Sequence, residues 1–230
     1  FFICKPMHIS SLKLTDFRNF APLELEFTNS VNIFYGNNGS GKTNLLEAMF
    51  VLCLGRSHRG ANDVVMVREG TEVYRLEGVI EHDEEAHTVA VAYQSGGRKK
   101  ITIDGVPMRL AGLYEHYCAV SAGPEDTDIL SGSPSVRRTF LDLYLSQFSR
   151  NYLMQLIDYQ RVLAQKNAAL RNETTADPFN ELLIPLGTSI TAARARFLAK
   201  IGPISGEHYR DVSGGGEFSL QYKASVSQAA

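Results

Sequence analysis

The sequence has no tryptophan, few cysteines and no excess of either charge. Its three cysteines, Cys4, Cys53 and Cys118, lie far apart with no Cys-x-x-Cys pair. That sparse, odd set argues against a disulfide framework and against a zinc site, and a reducing cytosol is the simplest compartment. No apolar run reaches the 18 or so residues that a membrane-spanning helix needs. The opening FFICKPM is too short for a signal peptide and has no small-residue cleavage site. Residues 1–6 therefore read as a leader or remnant ahead of a start at Met7. Lys and Arg number 23 against 25 Asp and Glu, a net charge of -2. That balance does not announce a nucleic-acid binder, and it does not exclude one, because acid elsewhere can offset a basic face. Six scattered histidines suggest no metal site. The 12 Phe and 10 Tyr are most economically core packing.

What is present suits a globular protein. Hydrophobic residues make up 44% and charged residues 21% of 230 positions, enough for one large domain or two lobes. From Met7 to Tyr35 the pattern predicts strands. HISSLKLTDF and LELEF alternate with period two, and VNIFY is a short apolar run of the buried-strand kind. Leu45, Leu46, Met49, Phe50 and Cys53 carry the spacing of an amphipathic helix over Lys42 to Leu54, ended by Gly55. Period two returns between Glu72 and Pro107, with SGG and DG as turns, and predicts an antiparallel meander. Helical patterns follow. One has Ser133 as N-cap and Pro134 in its first turn, a second covers about Asn151 to Asn172, and a third runs from about Asn180 to Ile201, where Gly202-Pro203 interrupts it. GEFSLQYKAS alternates again and predicts a returning strand. Strands thus come first and helices second, with the seam near Gly123 to Gly132.

The stretch Gly36-Asn37-Asn38-Gly39-Ser40-Gly41-Lys42-Thr43 fits the phosphate-loop pattern G-x-x-x-x-G-K-[ST] without a mismatch. Glycines let backbone N–H groups surround a phosphate where a side chain would collide with it. The helix that starts near Lys42 aims its free N–H groups and positive dipole end at the same anion. Lys42 then reaches the β- and γ-phosphates, and the Thr43 hydroxyl can hold Mg²⁺. A glycine-rich surface turn is the plain alternative. The preceding apolar run and the following helix weigh against it, so ATP with Mg²⁺ is the expected ligand pair, and Asn44 completes the loop set. Kinases, GTPases and ATP-driven machines share this loop. The strands ahead of it and the meander behind it are unlike a small-molecule kinase.

Five stretches carry a family resemblance: LTDFRNF (14–20), GNNGSGKTNLLEA (36–48), GRSHR (55–59), RRTFLDLYLSQF (137–148) and LAQKNAALR (163–171). Their order and spacing resemble the RecF family of bacterial recombination-repair ATPases, which belongs with the SMC-like heads of ABC-ATPase fold. The resemblance implies an α/β P-loop NTPase with a mixed sheet, an antiparallel meander and a helical second lobe. Residues 7–130 would be the ATPase lobe, and residues 131–230 a helical lobe. It places Arg18 and Asn19 beside the nucleotide, and a guanidinium there can pair with phosphate. It puts Arg56 and Arg59 near the nucleotide or DNA face, with plain surface charge as the rival reading. At the Q-loop position stands GPEDTD (123–128), where Glu125 would have to replace a glutamine and an acidic hinge is the simpler reading. The family's signature motif and its Walker B aspartate with catalytic glutamate are not recognisable, so the chain looks like an N-terminal part without competent hydrolysis alone.

The resemblance also implies an ATP-dependent homodimer on single-stranded, duplex and gapped DNA, acting with RecO, RecR and RecA in the SOS response of the cytoplasm, away from any membrane. Arg98, Lys99, Lys100, Arg137 and Arg138 are candidates for phosphate contact, which would make binding salt-dependent, though a basic run is more often a solvated face. The reading from another class is a P-loop kinase acting on a small metabolite.

Overall fold

The computed structural model describes residues 7–82, 85–173 and 175–224, so the expected leader at 1–6 lies outside them. Two compact units divide between Ser131 and Gly132.

In the first unit the period-two segments form one sheet. Its strands are β1 (Met7–Thr15), β2 (Leu23–Glu26), β3 (Val73–His82), β4 (Glu85–Gln94), β5 (Lys100–Ile103) and β6 (Val106–Met108), in the order β2-β1-β3-β4-β5-β6. Register sets Leu14, Leu76, Val91, Ile101 and Met108 in one row across five strands. The first four of these are buried, and each such side chain contributes roughly 1.5–3 kcal/mol on burial. Against β1, β3 and β4 lies helix α1 (Lys42–Leu54). Gly78 permits that approach, because a Cβ there would come within 2.6 Å of Leu52 Cδ2 and of Ser11 O. Helix α1 is buried on most sides rather than along one stripe, and Leu46, expected on its apolar face, is half exposed. Its C-terminal Gly55 is left-handed, with φ 66°, and donates its N–H to Val51 O at 2.7 Å.

Short elements complete the unit: α2 (Asp63–Met66), α3 (Leu110–His116), a 3-10 turn Pro124–Thr127 and α4 (Asp128–Ser131). Cys53 is a free thiol that burial pushes up to about 12, which leaves it inert.

Two expectations need correction here. VNIFY forms no strand, and Val31, Ile33 and Tyr35 are 83%, 79% and 93% exposed. Every strand pair is antiparallel, so the parallel component of a mixed sheet is not found among the described residues. The two findings have one cause. A short apolar run marks a segment able to join a sheet, but without a hydrogen-bonding neighbour it stays irregular.

The second unit is helical, with α5 (Pro134–Phe148), α6 (Arg150–Arg171) and α7 (Pro178–Ser213). Its core joins Leu141, Leu145, Tyr152, Leu156 and Ile190. Ser133 makes no side-chain cap, whereas Ser149 caps α6 by accepting from the Tyr152 N–H. Helix α7 runs on through Pro185 and Pro203, so Gly202-Pro203 does not end it. The expected return strand is irregular over 216–224, and Phe218 packs on Tyr209 with ring centroids 5.4 Å apart. No described helix is long and apolar enough to cross a membrane.

Candidate phosphate-binding site

The loop before α1 follows from its glycines. Gly36, Gly39 and Gly41 have φ of 149°, 81° and 99°. At Gly41 a Cβ would lie 2.7 Å from both Asn19 Nδ2 and Phe20 Cζ, so only glycine fits. Gly41 is also the N-cap of α1 and supplies no side-chain cap. The amides of the first turn are thus left for another acceptor. Lys42 Nζ donates to the carbonyls of Gly36 and Asn37, at 2.8 Å each, which holds the ammonium over the loop. Thr43 is exposed in the first turn of the helix. Asn37, Asn38 and Ser40 are exposed along the loop.

Asn19 comes to this loop from the turn that follows β1. Its Oδ1 accepts from Asn44 Nδ2 at 2.8 Å, and its Nδ2 reaches Ser40 O at 3.5 Å. Arg18 lies beside it, but its guanidinium is already engaged. Nε and Nη2 donate to the two oxygens of Glu47 at 2.8 Å each, and Nη1 donates to Val65 O at 2.8 Å. Glu47 is fully buried in α1 and also accepts from the Ser57 hydroxyl at 2.5 Å. Burial by itself would raise its carboxyl, but the hydrogen bonds of Arg18 and Ser57 and the charges of Arg18 and Arg59 outweigh that and hold it below the ordinary value. The sequence reading missed Glu47. Its signal was an acid within an otherwise apolar helix, in LLEAMF.

Two open pockets flank the loop. One of about 610 Å³ is lined by Arg18, Asn19, Asn44, Val65, Val67 and Arg68. The other, about 270 Å³, is lined by Phe20, Ile33, Phe34, Tyr35, Ser40 and Lys42. No cluster of three or more His, Cys, Asp or Glu is placed to hold a metal among the described residues. A magnesium ion here would rest on the Thr43 hydroxyl and on oxygens of its nucleotide, a donor set that suits its preference for phosphate and water ligands.

The candidate DNA residues are dispersed. Arg56 lies over the Tyr114 ring at 5.9 Å, and Arg59 Nε lies 3.4 Å from Glu125 Oε1. Glu125 stands in the exposed turn Pro124–Thr127, paired to that arginine. Lys99 is an internal strut, because its Nζ lies 2.7 Å from Asp63 Oδ1 and also donates to Gly55 O. Arg98 and Lys100 are exposed on either side of it. In the second unit Arg138 is exposed, and Arg137 donates to Gly132 O at 2.9 Å.

A family profile described as AAA domain matches residues 11–182. The chain is 38% identical over 216 residues to the DNA replication and repair protein RecF of Symbiobacterium thermophilum, covering 89% of the chain and 56% of that protein. It is 34% identical to the RecF of Lachnoclostridium phytofermentans, covering 97% and 64%. The solved structure of the recombination mediator protein RecF with ATP, in the RecFOR pathway, superposes with a TM-score of 0.85 at 29% identity over 93% of the chain and 60% of its own. The chain therefore spans about 60% of the length of the relatives it matches, and its fold is theirs. The small-metabolite kinase alternative finds no support among them.

Proposed function

The chain belongs to the AAA domain family, and on that premise we propose that it binds ATP with Mg²⁺ on the loop Gly36–Asn44 and acts in recombinational DNA repair. The observation that carries this reading is the loop itself. Three positive-φ glycines, an uncapped helix start and the Lys42 ammonium converge on one small surface. Each favours an anion with several oxygens. The ammonium is held by neutral carbonyls alone, so a triphosphate offers it a stronger partner.

Asn19 and Asn44 present amides beside the same surface, and the larger pocket next to them has room for a nucleoside. Arg18 supports this wall through Glu47 instead of contacting phosphate. The same proposal has ATP closing two copies of the protein on gapped duplex DNA with single-stranded regions, in the cytoplasm, where RecO and RecR assist the loading of RecA during the SOS response. The support for that wider role is likeness to RecF proteins, together with Arg98, Lys100 and Arg138 on exposed surface. The two units then serve as an ATPase lobe and a helical lobe.

The test is a titration of the chain with a fluorescent ATP analogue and Mg²⁺, with and without gapped duplex DNA. Wild type should bind and Lys42→Ala should lose most of its affinity. Equal affinity in the two would overturn the reading.

A further inference from the structure

We infer that Glu47 is a positioning residue of this site: with Arg18 it forms a buried clamp that fixes Asn19 against the phosphate loop. The inference rests on the nucleotide reading of that loop and adds to it a residue outside the loop pattern.

The turn that carries Asn19 is held in an unfavourable shape. Asp16 and Arg18, neither of them glycine, have φ of 50° and 56°, a conformation that L-residues adopt at a cost. Three sets of contacts oppose that cost. Phe17 bridges to Val67. The Arg18 N–H donates to Met66 O, and the Arg68 N–H to Asp16 O, both at 2.8 Å. The Arg18 side chain then spends its fork on Glu47 and its remaining nitrogen on Val65 O. The next residue along is Asn19, whose amide stands so close to Gly41 that a Cβ there would meet Nδ2 at 2.7 Å and Oδ1 at 2.9 Å.

Glu47 belongs to the helix that begins at Lys42, so it ties the turn to the element whose first amides face the anion. Ser57 extends the tie. Its hydroxyl donates to Glu47 and accepts the Arg59 N–H at 3.0 Å, fixing the chain just beyond α1. With both oxygens engaged and no exposure, Glu47 is unavailable as a general base or a metal ligand. A buried ion pair of this kind is often replaceable by apolar packing without loss of stability. What an apolar pair would not reproduce is the directional hold on the Arg18 turn, and hence on Asn19.

The experiment measures affinity for the fluorescent ATP analogue with Mg²⁺, alongside thermal unfolding, for wild type, Glu47→Gln, Asn19→Ala and the double variant. Gln keeps the shape but offers one acceptor oxygen in place of two, so the fork loses a partner. Each single change should weaken binding about tenfold, as loss of an orienting partner commonly does. The double should bind no worse than the weaker single, because both act through Asn19. The midpoint temperature should fall with Glu47→Gln and stay near wild type with Asn19→Ala. If Glu47→Gln does not fold, Arg18→Lys takes its place, since it keeps the charge and loses the fork. The same tenfold loss and the same masking by Asn19→Ala are then expected. Unchanged affinity in the 47 or 18 variant, or losses that multiply in the double, would overturn the clamp. Absence of binding by wild type, or equal binding by Lys42→Ala, would instead bring down the nucleotide reading and this inference with it.

Discussion

Arg194 of α7 donates from both Nε and Nη2 to a single oxygen of Asp142 in α5, at 3.0 and 2.6 Å. Tyr152 of α6 donates its hydroxyl to that oxygen at 2.5 Å, so one carboxylate gathers all three helices of the second unit. The side chains of the pair are only 10% and 17% exposed. Removing one partner of such a pair leaves an uncompensated charge in the interior. Arg194→Leu should therefore cost about 3–5 kcal/mol, read as a lower midpoint in urea. Asp142→Leu combined with Arg194→Leu should recover part of the loss. A midpoint equal to wild type in the single variant would show that water already screens the site.

Glycine positions in the loop separate collision from backbone strain. At Gly41 an added methyl group meets Asn19 and Phe20, whereas at Gly39 nothing lies within 4 Å and only the φ of 81° opposes a side chain. Gly39→Ala should cost roughly 1–2 kcal/mol of stability and keep much of its affinity for ATP. Gly41→Ala should abolish nucleotide binding. Calorimetric titration of both variants checks the order.

Acid should act on two histidines in opposite senses. His58 packs on Phe50 with its Nδ1 buried and unpartnered, and burial, ahead of the opposing pull of Glu47 and Glu125, lowers its value. A lowered histidine stabilises the fold above its unfolded value near neutrality, and that contribution fades as pH falls toward the folded value. His87 is raised, chiefly by its hydrogen bond with Asp104. Its contribution is present at low pH and is lost as pH rises through the folded value. His58→Phe should flatten the fall in melting temperature between about pH 7 and 5, and His87→Gln should steepen it slightly. Identical profiles for wild type and His58→Phe would refute the assignment.

The basic run on the meander divides by role. Arg98→Ala and Lys100→Ala should each reduce the slope of log affinity for duplex DNA against log salt by roughly 0.9, if both neutralise phosphates. Lys99→Ala should leave that slope alone and lower thermal stability, because its ammonium is spent on Asp63 and on the end of α1. Filter binding at several salt concentrations, with a melt of each variant, tells the two effects apart.

The sequence was most legible where a local rule was sufficient. Helix α1 begins at Lys42 and ends before Gly55 as the pattern predicts, because a phosphate-loop glycine and a left-handed glycine mark its two ends. The meander was equally readable from its alternation and turns. Reading failed where the outcome depends on distant neighbours. VNIFY is a short apolar run of the buried-strand kind, but strand identity requires a partner. Gly202-Pro203 breaks helices as a rule, yet α7 continues past it. Arg18 was expected to pair with phosphate, whereas its guanidinium is taken up by Glu47, 29 positions away in the chain and brought to it only by the fold.

Gly78 sets a lever. The bare backbone under Leu52 fixes how near the far end of α1 lies to the sheet, and Lys42 sits ten residues back along the same rod, about 15 Å away. A side chain at position 78 that tilted the rod by about 4° would swing the ammonium by about 1 Å, a displacement that can cost a well-oriented site on the order of a hundredfold. The accuracy of the loop is thus partly set at the other end of its helix, by a sheet residue with no atom to spare.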